Sequence, residues 1–178
     1  ILNVLEKYNA KATFFVVGNM AEGNGDILKR AYDLGCQIGN HSYSHKILTK
    51  LPIEEAKQEI NKTSNIVYNA TGDYARVGRP PYGSLNHEVK EMSKIEWFNW
   101  SIDTYDWKKR DADSVYENIM KNIGNYDVIL MHDLYTSTAE AVERVVPELA
   151  EKGYRFVTIS ELVKIKGGAD KVSGHIKK

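Results

Sequence analysis

Apolar and polar positions along the chain alternate between two periods, and the switches mark out strands and helices in turn. "ILNVLEKYNA", residues 1–10, carries its apolar side chains at helical spacing, and "ATFFVVG", residues 12–18, follows as a dense β-branched and aromatic run closed by Gly18. "DILKRAYDLG" then predicts a helix stopped at Gly35, and "CQIGNH" a short strand. The longest helix is expected to begin near Pro52, with Thr49 as its cap, and to run through "IEEAKQEINKTSNIVYNATG" to a stop at Gly72. "YARVGRPP" reads as a strand ended by two prolines, "NHEVKEMSK" as a helix and "IEWFNWS" as a strand. The cycle closes with a helix in "DSVYENIMKNIG", a strand in "YDVILMHD", a helix in "TAEAVERVVPELAEKG" and a last strand in "YRFVTIS".

Repeated β-then-α units of this size predict an α/β fold, a mostly parallel sheet covered by helices, either an open doubly wound sheet or a (β/α) barrel. With 178 residues and 42% hydrophobic content the chain is long enough for one domain with a sizeable core. The Lys- and Gly-rich residues 164–178 are expected to form a frayed tail. The 24 Lys and Arg balance the 24 Asp and Glu, so the basic footprint of a nucleic-acid partner is missing. No apolar stretch has the length of a membrane span. Cys36 is the single cysteine, expected to be a small buried residue, and an internal disulfide is excluded. The sequence opens at Ile1 directly in an amphipathic helix, and we expect the parent chain to continue upstream.

The polar residues become informative once laid on these elements. His41 and His45 follow one strand, and Arg79, Pro80, Pro81 and Tyr82 the next. Asp103, Asp106 and Trp107 follow the one after, and His132 and Asp133 yet another. In parallel α/β folds the C-terminal strand ends converge on one rim, where active sites are built, so four clusters are expected to meet. Histidines at i and i+4 share a helix face and can hold one cation; the alternative is a loop cap beside a solvated surface residue. Ser42 follows His41 where a zincin protease needs glutamate, which disfavours that chemistry. In "GRPPYG" the prolines can hold Arg79 and the Tyr82 N–H in set directions for an anion or oxyanion, or form an ordinary rigid turn. "DTYDW" offers two carboxylates and an indole that could face a sugar ring or the core. His132 is a candidate general acid, or a histidine hydrogen-bonded at a strand end.

"HSYSH", "RPPYG", "DTYDW" and "LMHD", in that order after "KATFFVVG", resemble the later motifs of the polysaccharide deacetylases of the NodB type, carbohydrate esterase family 4. The resemblance runs from residue 1 to about Leu162 and implies a distorted, incomplete (β/α) barrel, with residues 1–163 as the catalytic domain and 164–178 as a C-terminal tail. The implied activity is metal-dependent removal of acetyl groups from an acetylated polysaccharide. By this resemblance His41 and His45 bind the metal, zinc first, with cobalt or another divalent ion open. Arg79 orients a catalytic aspartate, the Tyr82 N–H helps stabilise the oxyanion, and Asp106 holds and tunes the acid His132. Trp107 lines the groove, and Leu130 sits beside the acetyl methyl.

The family's third metal ligand and catalytic base are consecutive aspartates in a "TFDDG"-like motif on a first strand, just upstream of a helix like residues 1–10. No "DD" pair occurs in this sequence. The first strand and its aspartates are therefore expected upstream of Ile1, which makes the missing N-terminal segment a partner of the site. Asp26 and Asp33, on a predicted helix, are not promoted to that role. Two function classes stand: a polysaccharide N-deacetylase, or an inactive glycan-binding module that keeps the groove. The presence of His132, Asp106 and Arg79 favours the first. Peptidoglycan is the preferred glycan over chitin, with acetylxylan O-deacetylation as an alternative. The family also implies a bacterial protein acting outside the cell or at the wall.

Overall fold

In the computed structural model, which describes residues 1–176, the elements alternate as the pattern predicts. The strands are β1 (Thr13–Val16), β2 (Gln37–Asn40), β3 (Val77–Gly78), β4 (Glu96–Trp97), β5 (Ile102–Asp103) and β6 (Ile129–Leu130). The helices are α1 (Leu2–Lys7), α2 (Gly18–Ala21), α3 (Gly25–Asp33), α4 (Ile53–Thr71), α5 (His87–Met92), α6 (Asp106–Lys109), α7 (Ala112–Asn122), α8 (Thr136–Glu151) and α9 (Ile159–Lys166). Strands β1 to β4 form a parallel sheet in sequence order, and β5 pairs in parallel with β6 in a second sheet. The register Val16↔Asn40↔Gly78↔Trp97 brings the C-terminal ends of all four strands level. In the other sheet Asp103 stands opposite Leu130. The α/β architecture with a parallel sheet flanked by helices is the one expected.

Side chains explain the close stacking. A Cβ on Gly78 would lie 2.7 Å from the Trp97 ring, so only glycine lets β3 lie against that fully buried indole. The inner faces of α3, α4 and α8 pack Leu28, Val67, Val142 and Val146 around Ile38 and Cys36, the cysteine being buried as expected. A second cluster joins Val115 and Ile119 of α7 to Ala141, Val145 and Leu149 of α8. Among the described residues no helix is long and apolar enough to cross a membrane.

Four expectations are corrected. Thr49 does not cap α4; its hydroxyl pairs with Ser84 at 3.1 Å, and Pro52 takes the cap position. "YRFVTIS" is not a ladder strand: Lys11 N–H donates to Phe156 O at 3.3 Å, and at Thr158 a capping box with Glu161 turns the chain into α9 instead. Of "IEWFNWS" only Glu96–Trp97 forms a ladder strand, β4; the backbone at Phe98 and Asn99 pairs instead with the C-terminal segment, and β5 begins beyond the predicted run at Ile102. The tail does not fray. Asn99 N–H donates to Gly174 O at 2.6 Å and Ile176 N–H to Trp97 O at 3.0 Å, while Val172 is buried. Residues 177–178 lie outside the described residues.

Candidate active site

Four parallel strands deliver their following residues to one rim: β2 ends at His41, β3 at Arg79, β5 leads into Asp106 and β6 into His132. The backbone there is unusually bent. Ser42, His45, Tyr82 and Tyr105, none of them glycine, have φ of 61°, 58°, 58° and 56°. Left-handed conformations of this kind persist only where the surroundings hold them.

His41 and His45 do not share a helix face, as their spacing suggested; the loop after β2 is irregular. Its left-handed kinks fold it back, so that the two imidazoles still meet with ring centroids 4.8 Å apart. The His41 Nδ1–H donates to the Arg79 carbonyl at 2.5 Å. That bond fixes the tautomer and leaves Nε2 with its lone pair. Burial, then the neighbouring cations, pushes the His41 pKa down to about 4, so the ring is neutral at neutral pH. Burial also lowers His45. Both are shifted by the field of His132, which places the acid candidate and the histidine pair within electrostatic reach of one another. Two neutral imidazoles side by side fit two positions of a divalent metal site. Among the described residues no group of three His, Cys, Asp or Glu is placed to hold a metal ion.

Arg79 is buried, with its guanidinium 4.4 Å above the Phe15 ring and its N–H groups donating to the Asn99 carbonyl at 3.0 Å and the Phe98 carbonyl at 3.4 Å. Desolvation lowers its pKa to about 10. Carbonyl dipoles compensate a guanidinium less completely than a carboxylate, so this buried cation is set to receive an anion. Tyr82 follows two prolines, is 69% exposed, and stacks edge-on to His45 at 4.9 Å. Among the described residues no hydrogen bond engages its backbone N–H.

Asp106 is fully buried and opens α6. Its carboxylate accepts from the His132 ring Nδ1 at 2.8 Å, the His132 backbone N–H at 2.6 Å, the Trp107 N–H at 2.8 Å and the Thr138 hydroxyl at 2.8 Å. Burial pushes this carboxyl upward, but the hydrogen bonds from His132 and Thr138 outweigh it and hold it below its ordinary value. The His132 imidazole is therefore locked in tautomer and orientation. Trp107 and Tyr105, 45% and 46% exposed, flank this pair as open aromatic faces, whereas Leu130, opposite Asp103 in the β5–β6 ladder, is buried. Asp103 accepts from the Tyr105 N–H at 2.8 Å and so shapes the turn.

Local spacing did not reveal Asn40, Glu59 or Thr138. Asn40 had a signal, being an Asx residue just before the histidine loop, where its side chain can accept a backbone N–H two residues on. Glu59 and Thr138 come from α4 and α8 and carry no local mark.

The family profile described as "Polysaccharide deacetylase" matches residues 1–96. The chain is 37% identical over 166 residues to the peptidoglycan-N-acetylmuramic acid deacetylase PdaC of Bacillus subtilis, covering 93% of this chain and 36% of that protein. It is 38% identical over 162 residues to the peptidoglycan-N-acetylglucosamine deacetylase PgdA of Listeria monocytogenes, covering 91% and 35%. The chain thus spans about a third of the length of these curated relatives. The solved structure of PdaC superposes with a TM-score of 0.91 at 36% identity, over 93% of this chain and 82% of that one. A CE4 family pseudoenzyme from Bacillus anthracis superposes at 0.84 with 33% identity, over 91% and 58%.

Proposed function

The chain belongs to the polysaccharide deacetylase family, and we propose that it hydrolyses acetyl groups from an N-acetylated glycan of the bacterial cell wall with the help of a divalent metal ion. The observation that carries this reading is the division of labour among the rim histidines: two neutral imidazoles side by side, and a third tied to a buried carboxylate. Peptidoglycan is the favoured glycan because both curated relatives are named for acting on it. Action at the wall or outside the cell follows from such a substrate.

His41 and His45 would supply two ligands to the ion, zinc by preference, with cobalt compatible with the same nitrogens. When bound, it would supply Lewis-acid polarisation at the acetyl carbonyl. The base that takes the proton of the attacking water is not assigned among the described residues; the other roles fall to this chain. The Tyr82 N–H donates to the oxygen on which negative charge develops. His132, oriented by Asp106, gives the proton on Nε2 to the departing amine nitrogen, and the Asp106 carboxylate offsets the positive charge the imidazolium carries beforehand. Arg79 holds an anionic group at the rim. Trp107 lines the groove against the sugar, and Leu130 stands beside the acetyl methyl. The first 163 residues carry all of these groups.

The pseudoenzyme among the structural neighbours supports a second reading, a glycan-binding module without turnover. Acetate release from N-acetylated peptidoglycan, measured for the parent protein with and without added zinc, separates the two. Zinc-dependent release that His132→Ala removes is expected for the enzyme. Glycan binding with no acetate release under any metal would establish the module.

A further inference from the structure

The loop that aims His41 and His45 has neither helix nor ladder to hold it, and its two left-handed non-glycine residues, Ser42 and His45, are in backbone conformations that cost free energy. Something outside the loop must hold it, and the contacts are specific. The Asn40 side-chain oxygen accepts the Ser42 N–H at 2.9 Å. The Glu59 carboxylate, projecting from α4, accepts the Tyr43 N–H at 3.0 Å, the Ser44 N–H at 2.7 Å and the Ser44 hydroxyl at 2.7 Å. On the opposite side the Ser42 and Tyr43 carbonyls accept the Gly18 and Asn19 N–H groups, both at 2.9 Å. A Cβ on Gly18 would lie 2.5 Å from the Thr63 hydroxyl and 2.8 Å from the Tyr43 ring, so α2, α4 and the loop are in close contact.

Three consecutive N–H groups of the loop therefore end on two side chains. Asn40 is local, at the end of β2, and is itself tied to α4 through the Ile60 carbonyl at 2.8 Å and the Ser64 hydroxyl at 3.0 Å. Glu59 is the contact that fastens the stretch between the two histidines to a rigid element, the 19-residue α4 with Ile60 and Thr63 buried. A carboxylate accepting backbone N–H groups makes bonds roughly twice as strong as neutral ones, which suits a bent segment that must not relax.

We propose that Glu59 is a positioning residue for the histidine pair: its carboxylate fixes the backbone of Tyr43 and Ser44 and thereby sets the approach of His41 and His45 to a shared divalent ion. This rests on His41 and His45 being metal ligands. The test uses the full chain with Co²⁺ and Zn²⁺ alone as probes, and four proteins: wild type, Glu59→Ala, Glu59→Gln and His41→Ala. Metal affinity is read by titration, and the metal-free loop by amide hydrogen exchange at Tyr43 and Ser44. Glu59→Ala should speed exchange at both amides and weaken affinity about 10–100-fold, the size of effect seen for groups that orient ligands. Glu59→Gln, whose amide oxygen can still accept both N–H groups, should restore most of each. If Glu59→Ala does not fold, Glu59→Asp, one methylene too short to reach the loop, takes its place.

A lower melting temperature with unchanged exchange and unchanged affinity would make Glu59 a merely stabilising residue and overturn the proposal. Equal loss in Gln and Ala would overturn it too, assigning the effect to charge instead of geometry. If His41→Ala leaves affinity intact, the ligand assignment itself fails and the proposal falls with it, a result distinct from a failure at Glu59 alone.

Discussion

His41 and His132 are the same residue in two environments on one rim, and each ties down its Nδ1. His41 donates to a backbone carbonyl, that of Arg79, and His132 to a carboxylate, that of Asp106. A neutral acceptor and desolvation leave His41 uncharged, with its pKa at about 4, as a metal-ligating nitrogen requires. A carboxylate acceptor gives His132 a fixed counter-charge, as a proton donor requires. The supports differ as well. The His41 loop is irregular and pinned from two neighbouring helices, whereas His132, at a strand end, makes two hydrogen bonds to the Asp106 carboxylate at a helix start, which the Trp107 N–H and the Thr138 hydroxyl also hold. Identical side chains are held by different atoms opposite one ring nitrogen, which suits them to the different roles proposed.

His41→Ala should eliminate high-affinity zinc binding and with it the metal-dependent acetate release of the parent protein, as titration calorimetry checks; unchanged affinity would sink the ligand role. His132→Ala should leave zinc affinity at the wild-type level while cutting acetate release about 10²–10⁴-fold, the usual worth of a general acid. Near-normal turnover would remove His132 from the mechanism.

Two smaller effects sharpen the contrast from the Asp106 side. Thr138→Val deletes one hydrogen bond to a buried carboxylate and should lower stability by about 1–3 kcal/mol in a denaturant melt, without touching the His41 loop. The folded Asp106 carboxyl lies below its ordinary value of 3.8. Its contribution is therefore fully present above pH 4 or so and is lost as pH falls through the folded value. Acid unfolding followed by circular dichroism should be shallower below pH 4 in Asp106→Asn, at the cost of a lower plateau near neutrality. An identical acid limb in both proteins would show that another carboxylate governs it. The smallest effect belongs to a control far from either histidine: breaking the exposed Lys29–Asp33 pair with Lys29→Ala should change stability by less than about 1 kcal/mol.

Much of this site could be read along the chain. The strands before His41, Arg79 and His132 announced themselves by composition, and their parallel order put those residues on one rim. Trp107 gave no such certainty, since an indole is equally at home in a core; the structure leaves it open to solvent. The i, i+4 spacing of His41 and His45 suggested the right proximity for the wrong reason, because left-handed turns at Ser42 and His45 bring the rings together, not a helix. The threonine three residues before Glu161 was a legible helix start that strand-like alternation in "YRFVTIS" concealed.

Local physics controls what could be read along the chain: the period of apolar side chains, the glycines and prolines that end elements, and the order in which chemically capable residues follow strands. Which group faces which is settled by the packed fold. The Arg79 carbonyl on His41, Thr138 on Asp106, Glu59 on the Ser44 backbone and the C-terminal segment against Trp97 all join residues far apart in the chain. Buried polar groups must find partners wherever packing brings them, and that demand has no period along the sequence.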